Sequence, residues 1–126
     1  MPHVIFDKKI DLAEFSNKFQ PIMKKKSGII RLQDVFLNKI KNIALVRAIV
    51  IDDLHQEFMM EVDTNDNTTT LRLYPKTDPE KTDGVKSAMG LVALFILYIS
   101  PNTRIIRTNI EPFIPRRIID TNNSAT

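Results

Sequence analysis

Two kinds of residue in this sequence have the chemistry for a reaction at a small acid: an N-terminal proline and a set of arginines. Pro2 follows Met1, and an initiator methionine is normally trimmed before a small residue, which leaves a secondary amine. Such an amine is a competent general base when its pKa is brought near working pH. Burial and nearby cations disfavour the ammonium form and push that pKa down. A fall of about two units needs about 2.7 kcal/mol from the surroundings. Many proteins begin Met-Pro with no catalytic purpose, so Pro2 alone decides little.

Arg47 stands in the middle of the otherwise apolar run Ile43 to Ile51. An unpaired guanidinium is costly in such a setting. It either pairs with a carboxylate, the commoner case, or faces a pocket that receives an anion through its planar fork. Arg72 alternates with Leu71 and Leu73, the pattern of a strand's wet face. Arg116-Arg117, after Pro115, read as a solvated tail or as a contact with another subunit.

The rest of the composition mainly excludes. There are no cysteines, so thiolate chemistry is out of reach, and only two histidines, His3 and His55, which leaves little from which to build a zinc site. Three glycines far apart, Gly28, Gly84 and Gly90, make no phosphate-binding loop. Asp52-Asp53 has no metal-ligand spacing and reads as a turn cap. Lys24 to Lys26 reads as a solvated helix end. A net charge of +3 over 126 residues is a weak field, and there is no nucleotide-stacking pattern, so no nucleic-acid partner is expected. The longest apolar stretch, Ala88 to Ile99, is 12 residues, short of the roughly 20 that span a bilayer. With no signal peptide in view, a soluble cytoplasmic protein with no membrane partner is expected.

The elements follow from patterning. Val4-Ile5-Phe6 begins a strand almost at the chain start, where ends fray unless tied down. Asp11 and Glu14 have capping-box spacing, and Leu12, Phe15, Phe19, Ile22 and Met23 make a helical stripe broken by Pro21 and ended by Ser27-Gly28. Ile29 to Lys41 is ambiguous, Ile43 to Ile51 is a buried strand, and Glu57 to Val62 turns through Thr64–Asn67 into Thr68–Tyr74. Asp78-Pro79 opens a helix running to about Ile99, and Thr103 to Phe113 is a last strand. The order reads as two β-α-β units, residues 3–52 and 69–111. An α+β fold with a four-stranded sheet and two helices on one face is the expected packing. One domain, 1–120, and a disordered tail, 121–126, complete the expectation.

Met1-Pro2-His3-Val4, the stretch Asp11-Leu12 through Lys18, Pro21 and Ser27-Gly28-Ile29, and Thr70-Leu71-Arg72-Leu73 before the Asp78–Ile99 helix together resemble the tautomerase superfamily. Within it the chain is most similar to the 5-carboxymethyl-2-hydroxymuconate isomerase family. The resemblance implies an enzyme that interconverts enol and keto forms of a small carboxylic acid, with Pro2 as base and Arg47 on the substrate carboxylate. It further implies a homotrimer with its C-terminal segment on a neighbouring subunit, and no cofactor or metal. Tyr74-Pro75-Lys76-Thr77 replaces the family's glycine-rich turn and arginine, so Lys76 supplies charge there without bidentate geometry, and Arg72 lies beside it. The competing reading is a non-catalytic ligand-binding or assembly module on a tautomerase-like or ferredoxin-like sheet.

Overall fold

The computed structural model describes residues 1–25 and 28–115. The expected tail at 121–126, Arg116-Arg117 and the Lys26-Ser27 end of the first helix lie outside these residues. Among them the elements are β1 (His3–Phe6), α1 (Leu12–Lys18), β2 (Ile22–Lys25), β3 (Ile29–Leu37), β4 (Ile43–Ile51), β5 (His55–Thr64), β6 (Thr69–Leu73), α2 (Asp83–Ile99), β7 (Ile105–Thr108) and a 3-10 turn, η1 (Glu111–Phe113). The strands form one sheet in the order β2-β3-β4-β5-β6-β1-β7.

This overturns the expected four-stranded β-α-β sheet. The sheet has seven strands, and every neighbouring pair is antiparallel. Three observations explain the difference. The stripe expected as one helix breaks at Pro21, where α1 has already ended and Ile22-Met23 pair with Leu32 and Arg31 as an edge strand. The ambiguous stretch after Gly28 is β3, whose register slips between Leu32 and Asp34, so its alternation is broken in the sequence. And β1 inserts between β6 and β7, so the strand–helix–strand order of residues 69–108 exists while its two strands never touch.

β1 occupies an inner position because side chains tie its ends. Asn109 accepts from the His3 amide through Oδ1 at 3.0 Å and donates through Nδ2 to the Met1 carbonyl at 2.8 Å. Thr69 Oγ1 donates to the Lys8 carbonyl at 2.8 Å and accepts from the Ile10 amide at 3.1 Å. The early strand is therefore held by contacts 59 to 108 residues away in sequence, which answers the fraying expected of a chain end.

β3, β4 and β5 are the long central ladder. Their turns carry their own hydrogen bonds: Asn38 Oδ1 accepts from Asn42 and Ile43 at 3.0 Å each, and Asn65 Oδ1 accepts from Asn67 and Thr68 at 2.9 Å each. Both helices lie on one side of the ladder. Ala44, Val46, Ala48 and Val50 of β4 point towards them and are buried, as are Phe58, Met60 and Val62 of β5. The aromatic rings of Phe15, Phe19 and Phe95 join α1 to α2, with centroids 5.3 to 6.5 Å apart.

α2 begins four residues later than Asp78-Pro79 implies. Thr82 is the cap, its Oγ1 accepting from the Val85 amide at 3.2 Å. Residues 74–82 are spent instead on bonds to β5, including Glu80 N to Gln56 Oε1 at 2.7 Å. Asp52, at the end of β4, accepts from the Leu54 amide at 3.1 Å. That bond, with Thr82 and the Gly84 amide at the helix start, holds its carboxyl below the usual range. Gly90 lets α2 meet η1, since a Cβ there would run into the Phe113 carbonyl.

Two outcomes follow from this packing. Gly90→Ala must push α2 off η1, and the strain should cost about 1–3 kcal/mol in urea denaturation. The depressed pKa of Asp52 stabilises the fold above the unfolded-state value of 3.8, and that contribution is lost as pH falls through the lower folded value. Asp52→Asn should therefore be less stable than wild type at pH 7, and the two curves should converge on acidification.

Candidate functional site

The side of the sheet away from the helices is where the structure sets most of the polar candidates. Alternation along β4 sends Ile43, Leu45, Arg47, Ile49 and Ile51 to that side, opposite the buried alanines and valines. Register then fixes their neighbours. Arg47 lies between Asp34 of β3 and Met59 of β5, Leu45 between Phe36 and Glu61, and Ile49 between Arg31 and Glu57.

An antiparallel sheet with one wet face usually alternates apolar inside and polar outside. β4 departs from that rule, because four of its five outward residues are aliphatic. They are partly buried by one another, while Phe36 and Met23 nearby stand 44% and 56% exposed. No described helix packs on this side. The result is an apolar row along the central strand, interrupted by Arg47 and flanked by charges.

The charges are mutually engaged. Arg47 reaches Glu57 at 3.5 Å with both side chains about half exposed, so the pairing reading of Arg47 is realised with a carboxylate on the next strand. Arg72 donates to Glu61 at 3.0 Å and to Asp63 at 3.2 Å. Glu61 is 8% exposed, so the guanidinium supplies the charge-assisted bond that a buried carboxylate requires. Two carboxylates share one guanidinium, leaving an excess of negative charge on the β5–β6 side. On the β2–β3 side, Lys25 and Arg31 outnumber Asp34 on the same face.

The residues expected to form one site are not brought together. Pro2 precedes β1 and is buried. Arg47 is exposed on β4, three strand spacings from β1, or about 14 Å at about 4.8 Å per spacing. Lys76 is exposed on the loop after β6. Arg72 is opposite His3 in register, but its guanidinium is engaged by β5. The sequence reading took β4 for a buried strand, and what it missed is that the outer row has no described helix over it. Eight of the nine residues of β4 are hydrophobic, on both alternating sets, which is the pattern of a strand covered on both faces.

A concavity of about 280 Å³ lies between the helices and the β2–β3 edge. Its walls are Phe15, Phe19, Leu32, Val92 and Phe95, which are the packing of α1 on α2. Lys18 at its rim is bound to Glu14 at 3.0 Å. Among the described residues no cluster of histidine and carboxylate side chains could hold a metal ion. No described helix is long and apolar enough to cross a membrane. Compared with family models, curated proteins and solved structures, the chain matches none. The resemblance to tautomerases therefore finds no support there.

The two arginines should differ in what they hold up. Arg72→Met strands the Glu61 carboxylate and should cost about 1.5–3 kcal/mol. Arg47→Met breaks an exposed pair and should cost under about 1 kcal/mol. Urea denaturation of both variants beside wild type measures the contrast, and equal losses would contradict it.

Proposed function

We propose that this chain is a non-catalytic assembly module that works by holding a protein partner against the open face of its sheet. The observation that carries the reading is the row Ile43, Leu45, Ile49 and Ile51, aliphatic side chains on the central strand with no described helix over them. Contiguous apolar patches rimmed by polar groups mark interaction surfaces, whereas scattered ones do not. Arg31, Asp34, Arg47 and Glu57 on the same face supply the charge that orients a partner and rejects wrong ones. This carries forward the module reading of the sequence on a different sheet.

Proton transfer at an enol or keto acid has less behind it. Its base and its carboxylate-binding arginine were to act on one substrate. Pro2 is buried, and it stands three strand spacings from Arg47. Ketonisation of phenylenolpyruvate should run at the buffer rate with wild type and with Pro2→Gly alike. A wild-type rate that collapses in the variant would restore the isomerase.

The module reading is tested by thiol accessibility, which a cysteine-free chain makes clean. Ile49→Cys reports the open face, and Tyr98→Cys, on a helix residue 73% exposed, reports free surface. A permeant maleimide should label the Ile49 variant severalfold more slowly in the cells that make the protein than after purification, while the Tyr98 variant is labelled at the same rate in both. Equal labelling of the Ile49 variant in both would mean that nothing covers the face.

A further inference from the structure

The cavity between the helices and the β2–β3 edge combines apolar, ring-lined walls with a cationic mouth. We infer that it binds a small aromatic acid, with the bulk of two fused rings and one carboxylate. The site lies on the helix side of the sheet, so it is separate from the open face and independent of the partner reading.

The walls set the body of the ligand. Phe15 and Phe19 of α1, Val92 and Phe95 of α2, Ile22 of β2 and Leu32 of β3 border about 280 Å³. That is nearly twice the ~150 Å³ of an apolar cavity that takes up benzene. Water held in such a space needs about two to four polar partners, and these six side chains supply none. An apolar group that enters displaces poorly held water and gains contact with hydrocarbon. The rings favour a flat occupant. Phe95 meets Phe15 at 5.3 Å and 60°, and Phe19 at 6.0 Å and 85°, edge-to-face contacts that a further ring extends. Phe19 and Phe95 are only partly buried, so apolar surface is left on both for an occupant to cover.

The mouth sets the charge. Lys18 is the one charged side chain among the described residues that line the cavity. It holds Glu14 at 3.0 Å, with both side chains about half exposed. An ammonium group has three donors, so two remain for a second acceptor, and an exposed pair of this kind is weak. Lys24 adds a second cation. Ile22 lines the cavity, and alternation puts Lys24 on the same face of β2, about 7 Å further along. Lys24 is exposed and has no ion-pair partner among the described residues. Two ammonium groups against the one carboxylate of Glu14 leave the mouth positive. A carboxylate held there stays at the surface and keeps its hydration, and only the rings of the ligand are taken out of water.

The test titrates the full chain with sodium 2-naphthoate and with 2-naphthylmethylamine, a cation on the same rings, while methyl spectra are recorded. Naphthoate should bind saturably at one to one. It should shift the methyl groups of Ile22, Leu32 and Val92 and leave those of Leu45 and Ile49 in place. The amine should bind at least tenfold more weakly. Lys18→Gln combined with Lys24→Gln, both at exposed positions, should remove that preference and leave the affinity for uncharged 2-naphthylmethanol unchanged. Ile22→Trp, which fills the space from a partly buried position on the edge strand, should abolish binding of all three probes. If that variant does not fold, the methyl shifts of wild type decide the location. No saturable shift at millimolar naphthoate overturns the site. Shifts at Leu45 and Ile49 in place of Leu32 and Val92 also overturn it, by assigning the probe to the open face. Acid and amine of equal affinity overturn the acid.

Discussion

The antiparallel pairing of β4 with β3 on one side and β5 on the other governs most of what this molecule does. Nine consecutive register pairs join β4 to β5, and eight join β4 to β3. A strand so fully paired cannot turn over, so its alternation is fixed along its whole length. One set of side chains is small and branched, Ala44, Val46, Ala48 and Val50, and lets the helices come close. The other set must then face away, and it too is mostly aliphatic. The core and the exposed apolar band are thus two consequences of one register.

The remaining elements serve that ladder. α1 carries the chain across the sheet from β1 to the opposite edge at β2, and α2 carries it back from β6 to β7. Their rings meet over β3 and close the core on one side only. β1 is a short strand that depends on Asn109, Thr108 and Thr69 for its position, through bonds of 2.8 to 3.1 Å. The open face also carries paired charges: Arg72 between Glu61 and Asp63, and Arg47 beside Glu57.

Much of the secondary structure was legible in the sequence, and the pairing was not. β4, β5, the Asn65 turn and β6 follow from β-branched runs and turn residues. Asp11 as cap of α1 also reads correctly, its Oδ1 accepting from Ala13 and Glu14 at 3.0 and 3.2 Å. Ile22 and Met23 misled because they continue the three- and four-residue steps of Phe15 and Phe19, and only Pro21 marks the change. In β3 the slip after Leu32 hides the period of two. Asp78-Pro79 looks like a helix start, but the tertiary bonds of residues 74–82 to β5 outweigh a local capping preference. Neighbours in a sheet are decided by long-range contacts such as Val4 with Thr108, for which strand order carries no signal. That is also why Pro2 and Arg47, plausible as a pair on two adjacent strands, stand apart on an antiparallel sheet.

Solvent paramagnetic relaxation of assigned methyl groups tests the central claim most directly. Val46 and Val50 report the helix-covered side of β4, and Leu45 and Ile49 report the open side. The account predicts that in the purified chain Leu45 and Ile49 relax as groups open to a soluble paramagnetic probe, while Val46 and Val50 are shielded. Leu45 and Ile49 shielded as fully as the valines in the purified monomer would contradict it, because the chain's own residues would then cover the face.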